Sequence, residues 1–292
     1  MLQLNCIIIV YFKEALMSEH ILDIFAKNGI QSVAAIKLCD CNIVRQYKLE
    51  RVGFHDMSSL SAIVMAIPYL TPAANRNISA YAASRDYHLF FKELFASLIP
   101  QLKEAFPQYS FAGFADDSPI DERDAAAKAG LGMIGDNGLL ITPLYSSYVF
   151  LGEIITDMPL NTVKHHIQRC EGCGACQKAC PIKDTGVCLS ELTQKKGELY
   201  ESERQIIKKY ASAWGCDICQ EVCPHTKKAI ASGTIYTSLP FFKESLIPYL
   251  TSSAVEKMTD EEFSLRAYSW RKRATISRNL NILEDTHEHT SK

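Results

Sequence analysis

An α+β chain is expected from this sequence: an N-terminal α/β domain, then a small cysteine-rich domain, then a helical tail. Three observations carry that expectation. Helix-period and strand-period apolar runs alternate as far as residue 160. After Pro159 the apolar periodicity fades, and eight of the eleven cysteines fall between Cys170 and Cys223. Apolar residues then return as a patch over 239–250, followed by the basic cluster Arg266, Arg271, Lys272, Arg273 and Arg278. At 292 residues, 47% hydrophobic and 22% charged, the chain has material for a sizeable core, so neither disorder nor a disulfide-stapled miniature is implied.

The elements follow in order. Residues 18–27 read as a helix, with Ile21, Leu22, Ile24 and Phe25 apolar and Asn28-Gly29 as its stop. Residues 31–38 read as a strand, and 61–67 as a short buried strand ended by Pro68. A long helical pattern covers 79–105, where Phe91, Leu94, Phe95, Leu98 and Leu102 recur at three and four; Pro100 is expected to kink or divide it. Residues 109–115 form another strand. Ser118 as N-cap, with Pro119 at the first helical position and Asp121 three beyond the cap, is expected to start a short helix that stops at Gly130. Asp116 and Asp117 thus stand between a strand end and a helix start, where ligands commonly meet α/β chains. Two apolar runs, 139–142 and 148–156, read as a hairpin, and 202–212 as a helix within the cysteine-rich stretch.

Gly130, Gly132 and Gly135 spell G-x-G-x-x-G, but after a helix and before a strand, the reverse of the dinucleotide-binding order, so nicotinamide binding is rejected. Glycines there still allow close backbone approach to a flat ligand.

The cysteines carry the most specific signal. Cys170-x2-Cys173-x2-Cys176-x3-Cys180-Pro181 is the bacterial ferredoxin ligand run, whose fourth cysteine serves the other cluster of a pair. Cys216-x2-Cys219-x3-Cys223-Pro224 is one cysteine shorter, and Cys188 between the runs supplies the eighth thiolate. Eight thiolates match two 4Fe–4S clusters. The assignment is Cys170, Cys173, Cys176 and Cys223 to one, and Cys180, Cys188, Cys216 and Cys219 to the other. Zinc sites do not need the paired C-x3-C-P endings. Cys6, Cys39 and Cys41 read as ordinary buried or partly buried thiols. The odd cysteine count and the lack of a basic, cleavable leader before the apolar start at 6–12 argue against secretion. That start is also too short to span a bilayer. No membrane association and a cytoplasmic location are therefore expected, with residues 1–16 read as an upstream extension of the reading frame before Met17. A net charge of −2 gives no global sign of a nucleic-acid binder.

Taken together, Arg85-Asp86-Tyr87-His88, Ala115-Asp116-Asp117-Ser118-Pro119 with Glu122-Arg123, and Ala129-Gly130-Leu131-Gly132-x2-Gly135 resemble the epoxyqueuosine reductase family. So do Phe150-Leu151-Gly152-Glu153, the first cysteine run, Gly215-Cys216-Asp217-x-Cys219-Gln220-x2-Cys223-Pro224, and Arg278-Asn279. The resemblance implies a cobalamin- and iron–sulfur-dependent oxidoreductase related to reductive dehalogenases, reducing an epoxide of a modified tRNA nucleoside to an alkene. It implies residues 18–160 as the α/β cobalamin and substrate domain, 161–232 as a ferredoxin-like double-cluster domain, and 233–292 as a helical tail packing on the core. Asp116 falls on the family's proton-donating aspartate, with Asp117 adjacent. Arg85, His88, Asp117, Gly132, Gly135 and Asp217 fall to cofactor binding, with no D-x-H-x-x-G motif to give cobalt a histidine. The implied partners are tRNA and an external electron donor such as flavodoxin or ferredoxin.

The departures are Met133 and Asp136, where the family has an aromatic residue and a lysine, and a shorter Cys180–Cys188 spacing. No segment after Arg278 corresponds to the family's helical-repeat domain, which makes Arg266, Tyr268, Trp270, Arg271, Lys272, Arg273 and Arg278 the expected tRNA-gripping patch. A reductive dehalogenase-like reductase of a small molecule, or a non-catalytic electron-transfer protein, are the alternative functions.

Overall fold

The computed structural model describes residues 19–73 and 75–285, so Cys6, the apolar start, Met17 and the last seven residues of the expected tail lie outside it. The chain divides into two compact units: residues 1–67 with 91–172, and residues 68–90 with 173–292. Composition led to an expectation of three domains. In the structure the tail and the cysteine-rich stretch fold as one body, and residues 68–90 join them.

In the first unit α1 (Glu19–Lys27) buries Ile21, Ile24 and Phe25 and stops where Gly29 turns left-handed at φ 80°. There follow β1 (Val33–Lys37), α2 (Tyr47–Arg51) and β2 (Ser61–Pro68), then α3 (Tyr87–Ala105), of which Phe91 onward belongs here. Then come β3 (Phe111–Phe114), α4 (Glu122–Lys128), β4 (Met133–Ile134), β5 (Leu140–Ile141) and β6 (Val149–Thr156). The main sheet runs β1-β2-β6-β3, with Val33 opposite Met65 and Phe111 opposite Thr156 in antiparallel pairs. β2 is central and accordingly apolar on both faces, buried at every position from Ser61 to Ile67. On one face Ala125, Ala126, Ala127 and Ala129 pack with Ile36, Leu38, Ala62, Val64 and Ile155. On β3 and β6, Gly113 and Gly152 leave room for the rings of Phe95 and Phe91; a Cβ at either would collide with them.

Three local expectations change. Pro100 sits inside α3 without dividing it, because it lies on the exposed side, where the carbonyl it leaves unpaired can be hydrated. The helix opens at Tyr87, not 79, with the Asp86 carboxylate accepting the His88 N–H at 3.0 Å. Runs 139–142 and 148–156 are not a hairpin: β5 pairs β4 across the turn at Gly135–Gly138, while β6 enters the main sheet. The glycine-rich segment is itself the hairpin.

The second unit is helical. Its elements are α5 (Ala175–Ala179), α6 (Ile182–Thr185), α7 (Leu189–Thr193), α8 (Glu201–Tyr210), α9 (Ile218–Glu221) and α10 (Pro224–Ala231). α11 (Pro240–Lys243), α12 (Ser252–Lys257), α13 (Asp260–Ser264) and α14 (Arg273–Glu284) follow. Trp214 and Tyr268, both fully buried, centre a core shared by Ile78, Ala82 and Ala83 with Leu250, Val255, Phe263, Ile276 and Leu280, which is why 68–90 belongs here. Leu189, Leu192, Leu199, Ile207 and Ile282 tie α7 and α8 to α14.

Asn279 pins the same junction. Fully buried, it donates to the carbonyls of Thr193 (2.7 Å) and Ala213 (2.8 Å). Arg278 donates to Asn279 Oδ1 and to the carbonyls of Lys195 and Gly197. Asn279→Ala orphans two buried carbonyls and should lower unfolding free energy by about 3 kcal/mol, measured by denaturant titration. An unchanged midpoint would refute this anchoring role.

Candidate functional site

In the first unit the loop from Ala115 to Asp121 leaves β3 and enters α4. Asp121, not Ser118, caps the helix, accepting from Arg123 N and Asp124 N. Ser118 is buried instead: its hydroxyl donates to Glu153 and accepts from Ile120 N–H at 3.0 Å. The two aspartates have separate surroundings. Asp117 is ion-paired with Arg45 (3.4 Å) and Lys48, a charge-holding duty. Asp116 is exposed, stands in the left-handed region at φ 64°, and donates its N–H to Glu122 Oε1 at 2.9 Å. That backbone is uncommon for any residue but glycine, asparagine or aspartate, so the loop is held rather than relaxed.

Behind it stand two glutamates, Glu122 and Glu153, to which the family resemblance gives no role. Glu153 is fully buried in β6; burial pushes its carboxyl well above the ordinary range, and the neighbouring Glu122 adds to this. Burial also pushes Glu122 up to about 7. A single acidic residue inside the apolar run 148–156 was the signal available in the sequence.

The glycine-rich hairpin has a duty within its own unit. Ile134 N–H donates to Gln168 O (2.9 Å), Cys170 N–H to Ile134 O (3.1 Å), and Asp136 N–H to Cys170 Sγ (3.3 Å). A backbone donor on a thiolate sulfur is what iron–sulfur ligation exploits. A Cβ at Gly132 would strike the Ile141 carbonyl, and one at Gly135 the Asn137 and Ile141 side chains. Packing inside the hairpin therefore explains both glycines.

In the second unit the cysteines sit at helix ends. Gly174, left-handed at φ 71°, is the N-cap of α5, which carries Cys176 and ends at Cys180. Cys188 is the N-cap of α7 and Cys223 the N-cap of α10, with Pro224 next. Helix starts direct unpaired N–H groups and positive potential toward these sulfurs. α5 packs on α9, which carries Cys219, and α9 on α10. All eight cysteines are free thiols. Burial pushes Cys216 up to about 12, so its thiolate needs a compensating cation. Among the described residues no three His, Cys, Asp or Glu converge on a single metal ion. Chemically, eight thiols in these two runs are the donor type that 4Fe–4S clusters take. Outside this set, Cys39 is exposed, not buried as expected, and burial pushes Cys41 up to about 12.

The residues expected around a corrin ring have defined surroundings within their own units. Asp217 is enclosed, accepting from the Ser79 hydroxyl and from Ala80 N–H (2.7 Å), and so fixes the turn beside Cys216. The Arg85 guanidinium lies 4.4 Å from the centre of the Phe241 ring, and His88 Nδ1 is 2.8 Å from Asp86. Asp117, Gly132 and Gly135 stand in the first unit and Arg85, His88 and Asp217 in the second.

The expected tRNA patch is largely structural. Arg266 and Tyr268 are buried, Arg278 caps carbonyls, and Arg273 donates to Val255 O (2.6 Å), Met258 O (2.7 Å) and Thr259 O (2.8 Å). Only Trp270, 57% exposed with the Arg271 guanidinium 3.7 Å from its ring centre, and exposed Lys272 remain presented. Among the described residues no helix is long and apolar enough to cross a membrane.

The comparisons with known proteins agree among themselves. A family model described as "Epoxyqueuosine reductase QueG, DUF1730" matches residues 57–117. The epoxyqueuosine reductase of Synechocystis sp. is 32% identical over 241 residues, covering 76% of this chain and 82% of that protein. That of Listeria monocytogenes is 30% identical, covering 94% and 73%. The solved epoxyqueuosine reductase of Streptococcus thermophilus superposes with a TM-score of 0.71 at 24% identity, over 91% of this chain and 80% of that one. A structure described as epoxyqueuosine reductase with a tRNA-Tyr epoxyqueuosine-modified stem loop gives 0.70 at the same identity and coverage.

Proposed function

The chain belongs to the epoxyqueuosine reductase family, and on that premise we propose that it reduces epoxyqueuosine in tRNA to queuosine. Turning an epoxide into an alkene takes two electrons and two protons and releases the oxygen as water. The observation that carries this reading is the full set of eight free cysteines, in two runs ending Cys-Pro, in a chain of that family.

Cys170, Cys173, Cys176 and Cys223 would hold one 4Fe–4S cluster, and Cys180, Cys188, Cys216 and Cys219 the other. When bound, the clusters pass single electrons inward from an external donor such as flavodoxin or ferredoxin. This chain's residues support them: Asp136 N–H donates to Cys170 Sγ, the starts of α7 and α10 face Cys188 and Cys223, and Asp217 fixes the turn beside Cys216. Cobalamin is proposed from family membership, with Arg85, His88, Asp117, Gly132, Gly135 and Asp217 as the residues that the resemblance assigns to it. Asp116 would give a proton to the epoxide oxygen as its C–O bond breaks, a general-acid task. Asp117 is held between Arg45 and Lys48 as a carboxylate. Free thiols and a tRNA substrate fit a reducing cytoplasm.

For RNA the candidates are the exposed Trp270 and Lys272 with the half-buried Arg271 stacked on the Trp270 ring, an aromatic for a base and two cations for phosphates. The test is anaerobic purification with cobalamin present, iron and corrinoid analysis, and incubation with epoxyqueuosine-containing tRNA and a reductant. The expected product is a nucleoside lighter by one oxygen. A cluster- and corrinoid-loaded protein that leaves this tRNA unchanged rejects the reading. Arg271→Ala with Lys272→Ala should weaken tRNA binding and shallow its salt dependence without changing the melting temperature. Identical affinity and salt slope would remove the patch from the interface.

A further inference from the structure

The two glutamates behind the Asp116 loop have no place in the reduction itself, yet their geometry is specific. Glu153 lies in a strand that is otherwise apolar along its buried half, Val149–Thr156, and is fully enclosed. Its Oε1 accepts the Ser118 hydroxyl. Its Oε2 is enclosed without a hydrogen-bond partner, and the Glu122 carboxyl, on the helix that packs against β6, is its acidic neighbour. On the other side Glu122 Oε1 accepts the Asp116 N–H at 2.9 Å. The chain of contacts is therefore Ser118 hydroxyl, Glu153, Glu122, Asp116 N–H, ending on a backbone held at φ 64°.

Two carboxylates in contact, one fully buried and the other half-buried, cannot readily both stay ionised; a proton between them turns repulsion into a hydrogen bond. We infer that Glu122 and Glu153 share a proton and together hold the Asp116 backbone in its left-handed conformation, which makes Glu122 a positioning residue for Asp116. This deepens the proposed function and rests on Asp116 as its acid. Glu153 carries the proton, donating from Oε2, and Glu122 takes the negative charge, which suits an acceptor of the Asp116 N–H.

The surrounding charges agree with this placement. Asp116 and Asp121 from the loop face Glu122. From α4, Asp124 is ion-paired to Lys128 at 2.7 Å, and Cys41 approaches Glu153 with a thiol that burial keeps protonated near neutrality. Among the described residues, the groups named as the main influences on the two glutamates include no cation. Arg45 and Lys48 are taken up by Asp117, and Arg123 Nη1 by the Gly138 carbonyl. The pair thus has a proton, not an ion pair, as its means of neutralisation. Since burial brings Glu122 to about 7, the hold on Asp116 should strengthen as pH rises through neutrality and Glu122 ionises. It should loosen as pH falls.

The test reads the backbone, not the reaction. Hydrogen–deuterium exchange is followed on the full, anaerobically purified chain across pH, as protection relative to intrinsic exchange. In Glu122→Ala, protection of the Asp116 amide should fall about tenfold, while the Ala125 and Ala129 amides, inside a helix capped by Asp121, keep theirs. In Glu153→Gln the side-chain amide replaces the protonated carboxyl as donor, so the pH midpoint for Asp116 protection should stay within about a few tenths of a unit of wild type, whereas Glu153→Leu, which removes the donor, should move it up. An infrared band of a protonated buried carboxyl, present at neutral pH, should vanish in Glu153→Gln. A wild-type protein without that band, or equal Asp116 protection in Glu122→Ala and wild type, overturns the pair. Failure of the wider reading looks different. Asp116→Asn retaining turnover while Glu122→Ala still frees the amide would leave the pair intact and remove Asp116 as the acid.

Discussion

Replacing Asp116 with asparagine is expected to lower turnover by about 10²-fold or more, while the protein keeps its iron and its melting temperature. The size follows from removing a general acid, and the selectivity follows from the structure. Asparagine tolerates the left-handed backbone that Asp116 adopts, and its N–H can still donate to Glu122. The variant therefore changes one ionisable group and leaves the loop in place. Asp117→Asn makes the contrast, because it weakens the ion pairs to Arg45 and Lys48 without touching that loop conformation. A milder effect is expected there. If Asp117→Asn were the inactive variant and Asp116→Asn turned over normally, the proton-donor assignment would be wrong by one residue. Single-turnover kinetics against pH decides between them.

Cys188→Ala should remove about half the iron, from about eight per chain to about four. Cys188 is the ligand that neither cysteine run contains, and the structure makes its replacement clean. It is exposed and sits at the N-cap of α7 without a side-chain capping bond, so alanine removes a sulfur and little packing. The cluster served by Cys170, Cys173, Cys176 and Cys223 should survive with its spectroscopic signature. Cys41→Ala, a thiol outside both runs, should leave iron unchanged. Full iron content in anaerobically prepared Cys188→Ala, or tetrahedral zinc with no iron in the parent protein, would contradict the assignment.

What could be read from the chain alone was what short sequence separations encode. Cysteine spacing in the two runs is a property of a few consecutive residues, and helix ends fall at Cys180, Cys188 and Cys223. The strands 61–67 and 109–115, the first helix and its stop at Gly29 were legible for the same reason: burial period and capping are local. Where several residues could satisfy one local rule, the choice fell elsewhere. Ser118 and Asp121 both suit an N-cap, and Asp121 has it because Glu153, 35 residues away in β6, engages the Ser118 hydroxyl.

Tertiary structure alone decided the pairings. β5 joins β4 and not β6, because the turn at Gly135–Gly138 closes a hairpin that also holds Cys170. The basic tail looked like an RNA-gripping patch, but Arg273 and Arg278 donate to backbone carbonyls; charge in a sequence does not say whether its partner is solvent, phosphate or backbone. The same holds for the acids. Asp217 became the anchor of Ser79 and Ala80 across 138 residues of chain. Glu122 and Glu153 meet only because α4 packs on β6, and the proton they are inferred to share exists because burial brings two carboxyls together where water cannot separate their charges.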